Sequence, residues 1–307
     1  MSAFLACDWG TTNMRAWVID DQGRALRDKG FADLGVSRLK PGEAAERFIT
    51  QVRPAMQAED LPAILCGMAG STLGWAVAPY EPAPVGLDDL AKKLMRVEAP
   101  GPPVWIIPGV QGPGVAGAPE VMRGEETQVL GWVAQDPARA HGRWIVCHPG
   151  THAKWVVLED GQIQRFITAM TGELFDVLRK HSVLKAEAGP TDQAVFALGQ
   201  DSAGDGDGLS TRLFTARTRV VADGLDPRSV ASYLSGLLIG SDVASAPRLL
   251  GLDETAPIAV VGVPALCALY EVALKRRGWE VATYDGDAAA LSGLHALYRR
   301  LLEGAAA

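Results

Sequence analysis

The chain has 307 residues, of which 48% are hydrophobic, and its formal net charge is −7 at pH 7. This length allows two domains or one large domain. The acidic balance argues against a nucleic-acid partner, which needs a basic face, and no apolar run approaches the roughly 20 residues of a membrane-spanning helix. Asp8 interrupts the first apolar run after four residues, so no signal peptide is predicted, and we expect a cytoplasmic protein without a membrane partner.

The first predicted element is a β-hairpin. An apolar run at residues 4–7 ends on Asp8, and a second run at residues 16–19 precedes a polar turn. The residues at the hairpin tip are Gly10, Thr11 and Thr12. Small residues let backbone N–H groups approach an anion, hydroxyl groups add donors, and an aspartate can hold a divalent cation against that anion. The hairpin predicts a phosphate and magnesium site, although an ordinary polar turn would use the same residue types.

Helices, strands and Gly-rich loops alternate over the next part of the chain. We expect a helix over 43–57 that Pro54 ends or bends, a buried strand over 63–67, a helix near 87–97 and a strand over 104–107. A Gly-rich loop, GMAGSTLGW at 67–75, follows the first of these strands. Such strand-to-loop transitions commonly bind ligands, but they also serve simply to reverse the chain.

Residues 112–117 spell GPGVAG, which matches the GxGxxG pattern and supports the main alternative function, a nicotinamide-dependent dehydrogenase. That fingerprint needs a helix that begins inside the motif. Pro113 and Pro119 oppose such a helix, so the motif is interpreted as a loop. The chain contains no GxxxxGK[ST] pattern, which disfavours a P-loop kinase.

A helix is predicted over 120–135, and its first half contains Glu125 and Glu126. A carboxylate near a helix start can deprotonate an attacking hydroxyl group during phosphoryl transfer. Two glutamates at this place can equally stabilise the helix dipole and face water. The residues alone favour the second alternative.

A second hairpin repeats the first about half a chain length later, at residues 144–161. The paired residues are Cys7 and Cys147, Gly10 and Gly150, Thr11 and Thr151, and Trp17 and Trp155. His148 stands where the first copy has Asp8, so the metal-holding acid occurs once. A chain that carries one hairpin twice is typical of a duplicated fold. We assign two domains, to residues 1–135 and 143–307.

The rest of the second half again alternates helices and strands. We expect a helix that residues 171–173 cap, a flexible linker over 199–210, a helix over 229–244, a strand over 258–264, a helix over 265–277, a strand over 280–285 and a helix over 287–302. The four cysteines sit singly in apolar segments and are interpreted as buried core residues.

Several of these motifs resemble those of known proteins. DWGTTNMRAWVID (8–20) and HPGTHAKW (148–155) are similar to the first and second phosphate motifs of the actin-like ATPase and sugar-kinase superfamily. HPGTHAKW, GMAGSTLGW (67–75) and MRGEETQVLGW (122–132) together resemble the 2-dehydro-3-deoxygalactonokinase family. The resemblance implies a duplicated ribonuclease-H-like α/β fold, with two domains around a nucleotide cleft. It also implies phosphorylation of 2-dehydro-3-deoxy-D-galactonate to its 6-phosphate, with ATP and Mg²⁺.

The resemblance further implies roles for individual residues. Asp8 would hold Mg²⁺ and act in catalysis, and either Glu125 or Glu126 would be the base, where sugar kinases of this superfamily usually have Asp. Gly262, at a turn before a helix, would lie against the adenosine. The expected ligands of the ATP phosphates are Gly10, Thr11, Thr12, Gly150 and Thr151. The expected sugar-side residues of the Gly-rich loop are Ser71, Thr72 and Trp75.

The expected partner is a small-molecule sugar acid, whose carboxylate needs a local cation in so acidic a chain. A guanidinium matches a carboxylate with two parallel hydrogen bonds. Arg123, beside the candidate base, is the first candidate, followed by Arg15 and Arg38; each can equally be a solvated surface charge. Alternatives for the whole chain are a non-catalytic actin-like nucleotide switch and a kinase for another small sugar acid. A homo-oligomer is compatible with the sequence, which does not specify one.

Overall fold

The computed structural model describes residues 3–187, 189–252 and 256–306. The chain forms two compact units: unit 1 comprises Met1–Arg143, Leu158–Arg165 and Asp285–Ala307, and unit 2 comprises Trp144–Val157 and Phe166–Tyr284. The strands are β1 (Phe4–Trp9), β2 (Met14–Ile19), β3 (Ala25–Phe31), β4 (Ala63–Gly67), β5 (Tyr80–Pro82), β6 (Met95–Val97), β7 (Val104–Ile106), β8 (Gly109–Pro113), β9 (Pro119–Met122), β10 (Arg143–His148), β11 (Ala153–Glu159), β12 (Gln162–Ala169), β13 (Ile258–Gly262) and β14 (Val281–Asp285). The helices are α1 (Glu43–Arg47), α2 (Arg53–Ala55), α3 (Leu87–Ala91), α4 (Glu125–Ala134), α5 (Thr171–His181), α6 (Gln193–Ala203), α7 (Leu209–Leu213), α8 (Thr215–Ala222), α9 (Val230–Leu249), α10 (Pro264–Lys275) and α11 (Gly286–Ala306).

A six-stranded sheet forms the core of unit 1, with the strand order β3-β2-β1-β4-β7-β6. β1 runs antiparallel to β2, with Phe4 opposite Ile19, and parallel to β4, with Leu5 opposite Ala63. Every apolar residue of β1 is buried, as expected for a central strand with both faces covered. Asp8 therefore lies near the carboxyl ends of two parallel strands, the edge of an α/β sheet where ligands commonly bind.

A five-stranded sheet repeats this arrangement, with the strand order β12-β11-β10-β13-β14. β10 takes the place of β1, and it runs parallel to β13 with Ile145 opposite Ile258. In both sheets a three-stranded meander is followed by a strand that pairs with the first strand of that meander. The shared order confirms the duplicated α/β fold that the repeated hairpin predicts.

The C-terminal helix belongs to unit 1, whereas the predicted domain boundary assigns it to the second domain. A Cβ atom at Gly131 of α4 would lie 2.0 Å from the carbonyl oxygen of Ala289. A Cβ atom at Gly293 of α11 would lie 2.1 Å from the carbonyl oxygen of Thr127. Only glycine permits such a close approach of two helix backbones. This crossing holds α11 against α4, although the two helices are far apart in the sequence.

Two predicted helices are shorter than expected. The helix predicted near 87–97 is α3 followed by the strand β6. The helix predicted over 120–135 begins at Glu125, because the preceding residues form β9 and pair with β8 in a three-stranded sheet. That pairing places part of the GPGVAG motif in a β-hairpin, so the motif is not a simple loop. No α-helix begins inside it, as the two prolines predict.

The predicted linker over 199–210 is largely ordered into the end of α6 and the start of α7. Arg212 Nε donates a hydrogen bond to the carbonyl oxygen of Asp207 at 2.7 Å, and Arg248 Nη2 donates to the Asp207 carboxylate at 2.6 Å. These charged contacts brace the turn between the two helices, which a composition rich in glycine and aspartate did not indicate.

All four cysteines are buried, as predicted. Among the helices that the structure describes, none is long and apolar enough to cross a membrane.

Candidate active site

The first hairpin tip exposes two threonines on a braced backbone. Thr11 and Thr12 are exposed, and the carbonyl oxygen of Thr11 accepts hydrogen bonds from the backbone N–H and the hydroxyl group of Ser37, at 3.0 and 2.7 Å. The Gly10 N–H donates to the carbonyl oxygen of Asn13 at 2.9 Å. The backbone is thus held in place while the two hydroxyl groups stay accessible, which suits a phosphate-binding element.

Asp8 lies half-buried at the end of β1, directly before this tip. Its Oδ2 accepts a hydrogen bond from the side-chain amide of Gln128 in α4 at 3.1 Å. Burial raises the pKa of the Asp8 carboxyl, hydrogen bonds from Cys66 and Gln128 lower it, and the charge of Glu125 raises it again. A bound cation would offset both the burial and the repulsion, so this environment fits a metal-binding carboxylate.

In the described part of the chain, no three His, Cys, Asp or Glu side chains form a group that could hold a metal ion by themselves. Magnesium commonly binds through only one or two protein carboxylates together with substrate phosphates. The Asp8 environment is therefore compatible with Mg²⁺ that a nucleotide would help to hold.

Two glycines bring the start of α4 close to the end of β1. Gly124, the residue before α4, has a φ angle of +113°, and a Cβ atom there would lie 3.2 Å from the Cα atom of Gly67. A Cβ atom at Gly67 would in turn lie 3.2 Å from Asp8 Oδ1. Larger residues would push these segments apart. The structure thus brings the predicted metal-binding carboxylate together with both candidate bases, Glu125 and Glu126, in unit 1.

The two glutamates have different environments. Glu126 is fully buried; its Oε2 accepts the Gly124 N–H at 2.7 Å and its Oε1 accepts the Thr127 hydroxyl at 3.0 Å. Burial and the charge of Glu125 raise the pKa of Glu126 to about 8. Glu125 is only half-buried, and its Oε2 accepts the backbone N–H of Arg123 at 3.1 Å. Glu126 supports the helix start from inside, whereas Glu125 keeps an accessible carboxylate.

Arg123 packs against the Gly-rich loop that follows β4. Its Nη2 donates to the carbonyl oxygen of Ala78 at 2.7 Å, and its guanidinium lies 4.2 Å from the centroid of the Tyr80 ring. Its Nε and Nη1 are buried and have no hydrogen-bond partner among the residues that the structure describes, and a Cβ atom at Gly70 would lie 2.5 Å from Nη1. Buried guanidinium nitrogens without acceptors are unfavourable, so an incoming carboxylate would stabilise this arginine.

The other two arginine candidates already pair with carboxylates. Arg15 pairs with Asp28 and Asp287, and Arg38 pairs with Asp33. Arg123 is therefore the candidate whose environment best suits a substrate carboxylate.

The three predicted sugar-side residues differ in exposure. Thr72 is exposed, and Trp75 is half-buried, with its ring 5.4 Å from that of Phe48. The hydroxyl group of Ser71 donates to the carbonyl oxygen of Met68 at 2.8 Å, inside the loop itself. Thr72 is thus the most accessible hydroxyl group of the loop, and Ser71 mainly shapes its backbone.

In unit 2 the second hairpin tip packs against the start of α5. A Cβ atom at Gly172 would lie 2.4 Å from the carbonyl oxygen of Gly150. The backbone N–H of Glu173 donates to the carbonyl oxygen of Thr151 at 2.9 Å, and its carboxylate lies 2.5 Å from His152 Nε2. The tip is thus braced at the N-terminal end of an eleven-residue helix, where the dipole favours an anion.

A mainly apolar cavity of about 240 Å³ lies beside this tip. The tip contributes Gly150 to its lining, and the other walls come chiefly from α5, α9 and α10. Its lining includes the apolar residues Phe175, Leu238, Ile239, Leu266 and Leu269 and the hydroxyl residues Thr191, Ser232 and Ser235. Sequence reasoning missed most of them, because they lie on separate elements. The available signals were the apolar faces of three predicted helices, the one that follows residue 171 and those over 229–244 and 265–277, which contribute Phe175, Leu238, Leu266 and Leu269.

Gly262, the residue predicted to contact adenosine, is not among the residues that line this cavity. It ends β13, where a Cβ atom would lie 3.4 Å from the carbonyl oxygen of Pro149 in the second tip. Its observed contact is therefore with the tip, one residue from Gly150.

Comparisons with known proteins agree on one family. A profile of the 2-keto-3-deoxy-galactonokinase family matches residues 8–297. The 2-dehydro-3-deoxygalactonokinase of Escherichia coli (strain K12) is 35% identical over 299 residues, covering 96% of this chain and 97% of the relative. A crystal structure of a 2-dehydro-3-deoxygalactonokinase candidate from Sinorhizobium meliloti has a TM-score of 0.84 at 33% identity, covering 96% of this chain and 98% of that chain. The activator of the 2-hydroxyisocaproyl-CoA dehydratase from Clostridium difficile has a TM-score of 0.50 at 12% identity, covering 99% of this chain and 98% of that chain, a likeness of fold alone.

Proposed function

Because this chain belongs to the 2-keto-3-deoxy-galactonokinase family and is a carbohydrate kinase, we propose that it phosphorylates 2-dehydro-3-deoxy-D-galactonate on its terminal hydroxyl group. ATP supplies the γ-phosphoryl group, and the products are the 6-phosphate and ADP. The grouping of Asp8 and Glu125 beside a braced tip carries this proposal, since phosphoryl transfer to a hydroxyl group uses a metal-binding carboxylate and a base. We place the reaction in the cytoplasm, where ATP is available.

The nucleoside of ATP is assigned to the apolar cavity of unit 2. Adenine is flat and has few polar atoms, so a mainly apolar wall with a small number of hydroxyl groups suits it. Gly150 and Thr151 would contact the phosphates at the second tip, supported by the N-terminal end of α5. In unit 1, Gly10, Thr11 and Thr12 would form the other phosphate-binding element.

Asp8 would hold Mg²⁺. Its hydrogen bond from Gln128 would orient the carboxylate, as outer partners of metal ligands commonly do. The bound metal would neutralise the charge that develops on the transferred phosphoryl group.

Glu125 is assigned as the base in preference to Glu126. The attacking hydroxyl oxygen bonds to the γ-phosphorus, the bond from that phosphorus to the bridging oxygen breaks, and the hydroxyl proton passes to the Glu125 carboxylate. Glu125 is accessible enough to receive that proton. Glu126 is buried, and with a pKa of about 8 it holds its own proton at pH 7. Glu126 would instead keep the start of α4 beside Asp8.

Arg123 would bind the carboxylate of the sugar acid, with Ser71, Thr72 and Trp75 shaping the pocket. Support comes from the two buried nitrogens of Arg123, for which the described part of the chain offers no acceptor. Because these nitrogens lie beneath the Gly-rich loop, the loop must shift for a carboxylate to reach them. Thr72 would then offer a hydroxyl group and Trp75 a ring face to the substrate.

A coupled ADP-release assay tests the function. The panel contains 2-dehydro-3-deoxygalactonate, its epimer 2-dehydro-3-deoxygluconate and a neutral polyol analogue, each with ATP and Mg²⁺. We expect the highest kcat/KM for the galactonate compound and no turnover of the neutral analogue. Preference for the epimer would favour a kinase for another sugar acid. Absence of turnover with every acid would contradict the proposed substrate class.

A further inference from the structure

A buried carboxylate in unit 2 lies outside the site described above. Asp242, in the middle of α9, is only 5% exposed. Its Oδ1 accepts a hydrogen bond from Trp155 Nε1 at 2.9 Å. Its Oδ2 accepts two more, from the Thr171 hydroxyl at 2.9 Å and from the Tyr270 hydroxyl at 2.6 Å. One carboxylate therefore joins β11, α5 and α10 to α9.

Two of these three donors also line the nucleotide cavity. Thr171 and Tyr270 are lining residues, whereas Asp242 itself is not. The cavity walls come mainly from α5, α9 and α10, so its shape depends on how these helices are held together. Asp242 makes a hydrogen bond to a residue of each of the other two helices.

The contacts continue from Asp242 to the second tip. Thr171 is the first residue of α5. The sequence predicts a helix cap at residues 171–173, but the Thr171 hydroxyl donates to Asp242 instead of capping the helix. Its neighbour Gly172 packs against the carbonyl oxygen of Gly150. A shift of the α5 start would move both the cavity wall and the tip.

The Asp242 carboxylate is better suited to orient the side chains around it than to stabilise the folded core. Burial raises the pKa of Asp242, while the hydrogen bonds from Tyr270, Thr171 and Trp155 lower it. Apolar residues of similar size often stabilise a core as well as buried charged groups do. A carboxylate, by contrast, sets the direction of every donor that reaches it.

We propose that Asp242 is a positioning residue that holds Thr171 and Tyr270, and through them the second tip, in the arrangement that binds the nucleotide. The inference rests on the proposed function, because it assigns the cavity to ATP. Asp242 touches neither substrate and takes no part in the proton transfer.

Asp242→Asn is the first test. The amide has one acceptor oxygen and no charge, so it cannot accept from Trp155 on one side and from Thr171 and Tyr270 on the other as the carboxylate does. We expect the KM for ATP to rise about ten- to a hundredfold, the range for losing hydrogen bonds to a charged group. The KM for the sugar acid should change much less. A general loss of stability would lower the active fraction and reduce kcat without this selective change in KM.

Ser241→Ala is the matched control. Ser241 is the preceding residue of α9, is also 5% exposed, and donates to the carbonyl oxygen of Gly206, away from the cavity lining. We expect a similar or smaller loss in Tm and an unchanged affinity for ATP, measured by calorimetry. An equal loss of ATP affinity in both variants would overturn the proposal.

A double-mutant cycle tests the route through Thr171. Thr171→Val removes the hydroxyl and should weaken ATP binding, whereas Thr171→Ser keeps a hydroxyl and should bind ATP as wild type does. In the double variant, Asp242→Asn should weaken ATP binding little beyond the effect of Thr171→Val alone. If Asp242→Asn does not fold, the two Thr171 variants and Tyr270→Phe still decide the matter. If the stable variants bind ATP as tightly as wild type, the inference about Asp242 is wrong, but the proposed function stands. Failure of the wild-type protein to bind ATP would overturn the proposed function as well.

Discussion

The tips that follow β1 and β10 occupy equivalent positions in two sheets of the same strand order, but only the first tip follows a carboxylate. Asp8 precedes the tip in unit 1, and His148 stands at that place in unit 2. Unit 1 gathers acidic side chains beside its tip, whereas unit 2 has a mainly apolar cavity there. The comparison indicates that the two sheets kept the same strand order and hairpin while the surrounding side chains diverged.

Under the proposed function, the two units should respond differently to equivalent substitutions. Changes to the acidic groups of unit 1 should lower kcat, because these groups act on the reacting atoms. Changes around the cavity of unit 2 should raise the KM for ATP, because that cavity binds the nucleotide.

The largest effect is expected at Asp8. Asp8→Asn removes the metal-binding charge at nearly constant volume, so kcat should fall about a hundredfold or more, as for other key electrostatic groups. His148→Asn, at the equivalent place in unit 2, is the matched control and should lower kcat far less. Steady-state ADP release, with Tm as a check on folding, measures both. Equal effects would show that the two tips are not chemically distinct.

The next largest effect is expected at Glu125. Glu125→Gln cannot accept the hydroxyl proton, so kcat should fall about a hundredfold, within the usual contribution of a general base. ATP affinity should stay near that of wild type, because the glutamate does not bind the nucleotide in our assignment. A larger fall in kcat for Glu126→Gln than for Glu125→Gln would reverse the assignment of the base.

A smaller effect is expected at Arg123. Arg123→Ala should raise the KM for the sugar acid about tenfold or more, the scale of a lost charge-assisted hydrogen bond. The preference for the acid over a neutral analogue should fall with it. Arg38→Ala is the control, since Arg38 is exposed and paired with Asp33. If the variant keeps its preference for the acid, another residue binds the carboxylate.

The smallest expected effect is on the stability of the protein, through a substitution at Glu126. The pKa of Glu126 is about 8 in the folded state, above its ordinary value of 4.5. Between these values the folded state keeps a proton that the unfolded state has released, so the free energy of unfolding falls as pH rises. Glu126→Gln should flatten this decline, which Tm measurements from pH 5 to 8 would reveal. Parallel curves for the two proteins would contradict the raised pKa.

Local patterns predicted much of the regular structure. The strands β4, β10 and β13 and the helix α10 lie close to their predicted bounds, because apolar runs and helical spacing reflect burial directly. The helix α9 begins close to its predicted start but ends five residues later than predicted, at Leu249 instead of residue 244. The start of α4 was misplaced, since β9 forms only by pairing with β8. The predicted cap at residues 171–173 failed for a similar reason: the hydroxyl of Thr171 bonds to Asp242, 71 residues away.

The sequence by itself determined the duplicated hairpin, the tip residues and the short set of acidic candidates, because these are properties of neighbouring residues. Only the tertiary structure decided that Glu126 is buried and Glu125 accessible, that Arg123 lies beneath the Gly-rich loop, and that α11 belongs to unit 1. It also decided the cavity, whose walls come from helices far apart in the chain. Burial, close backbone approach and pKa depend on which distant segments pack together, and a one-dimensional pattern does not contain that information.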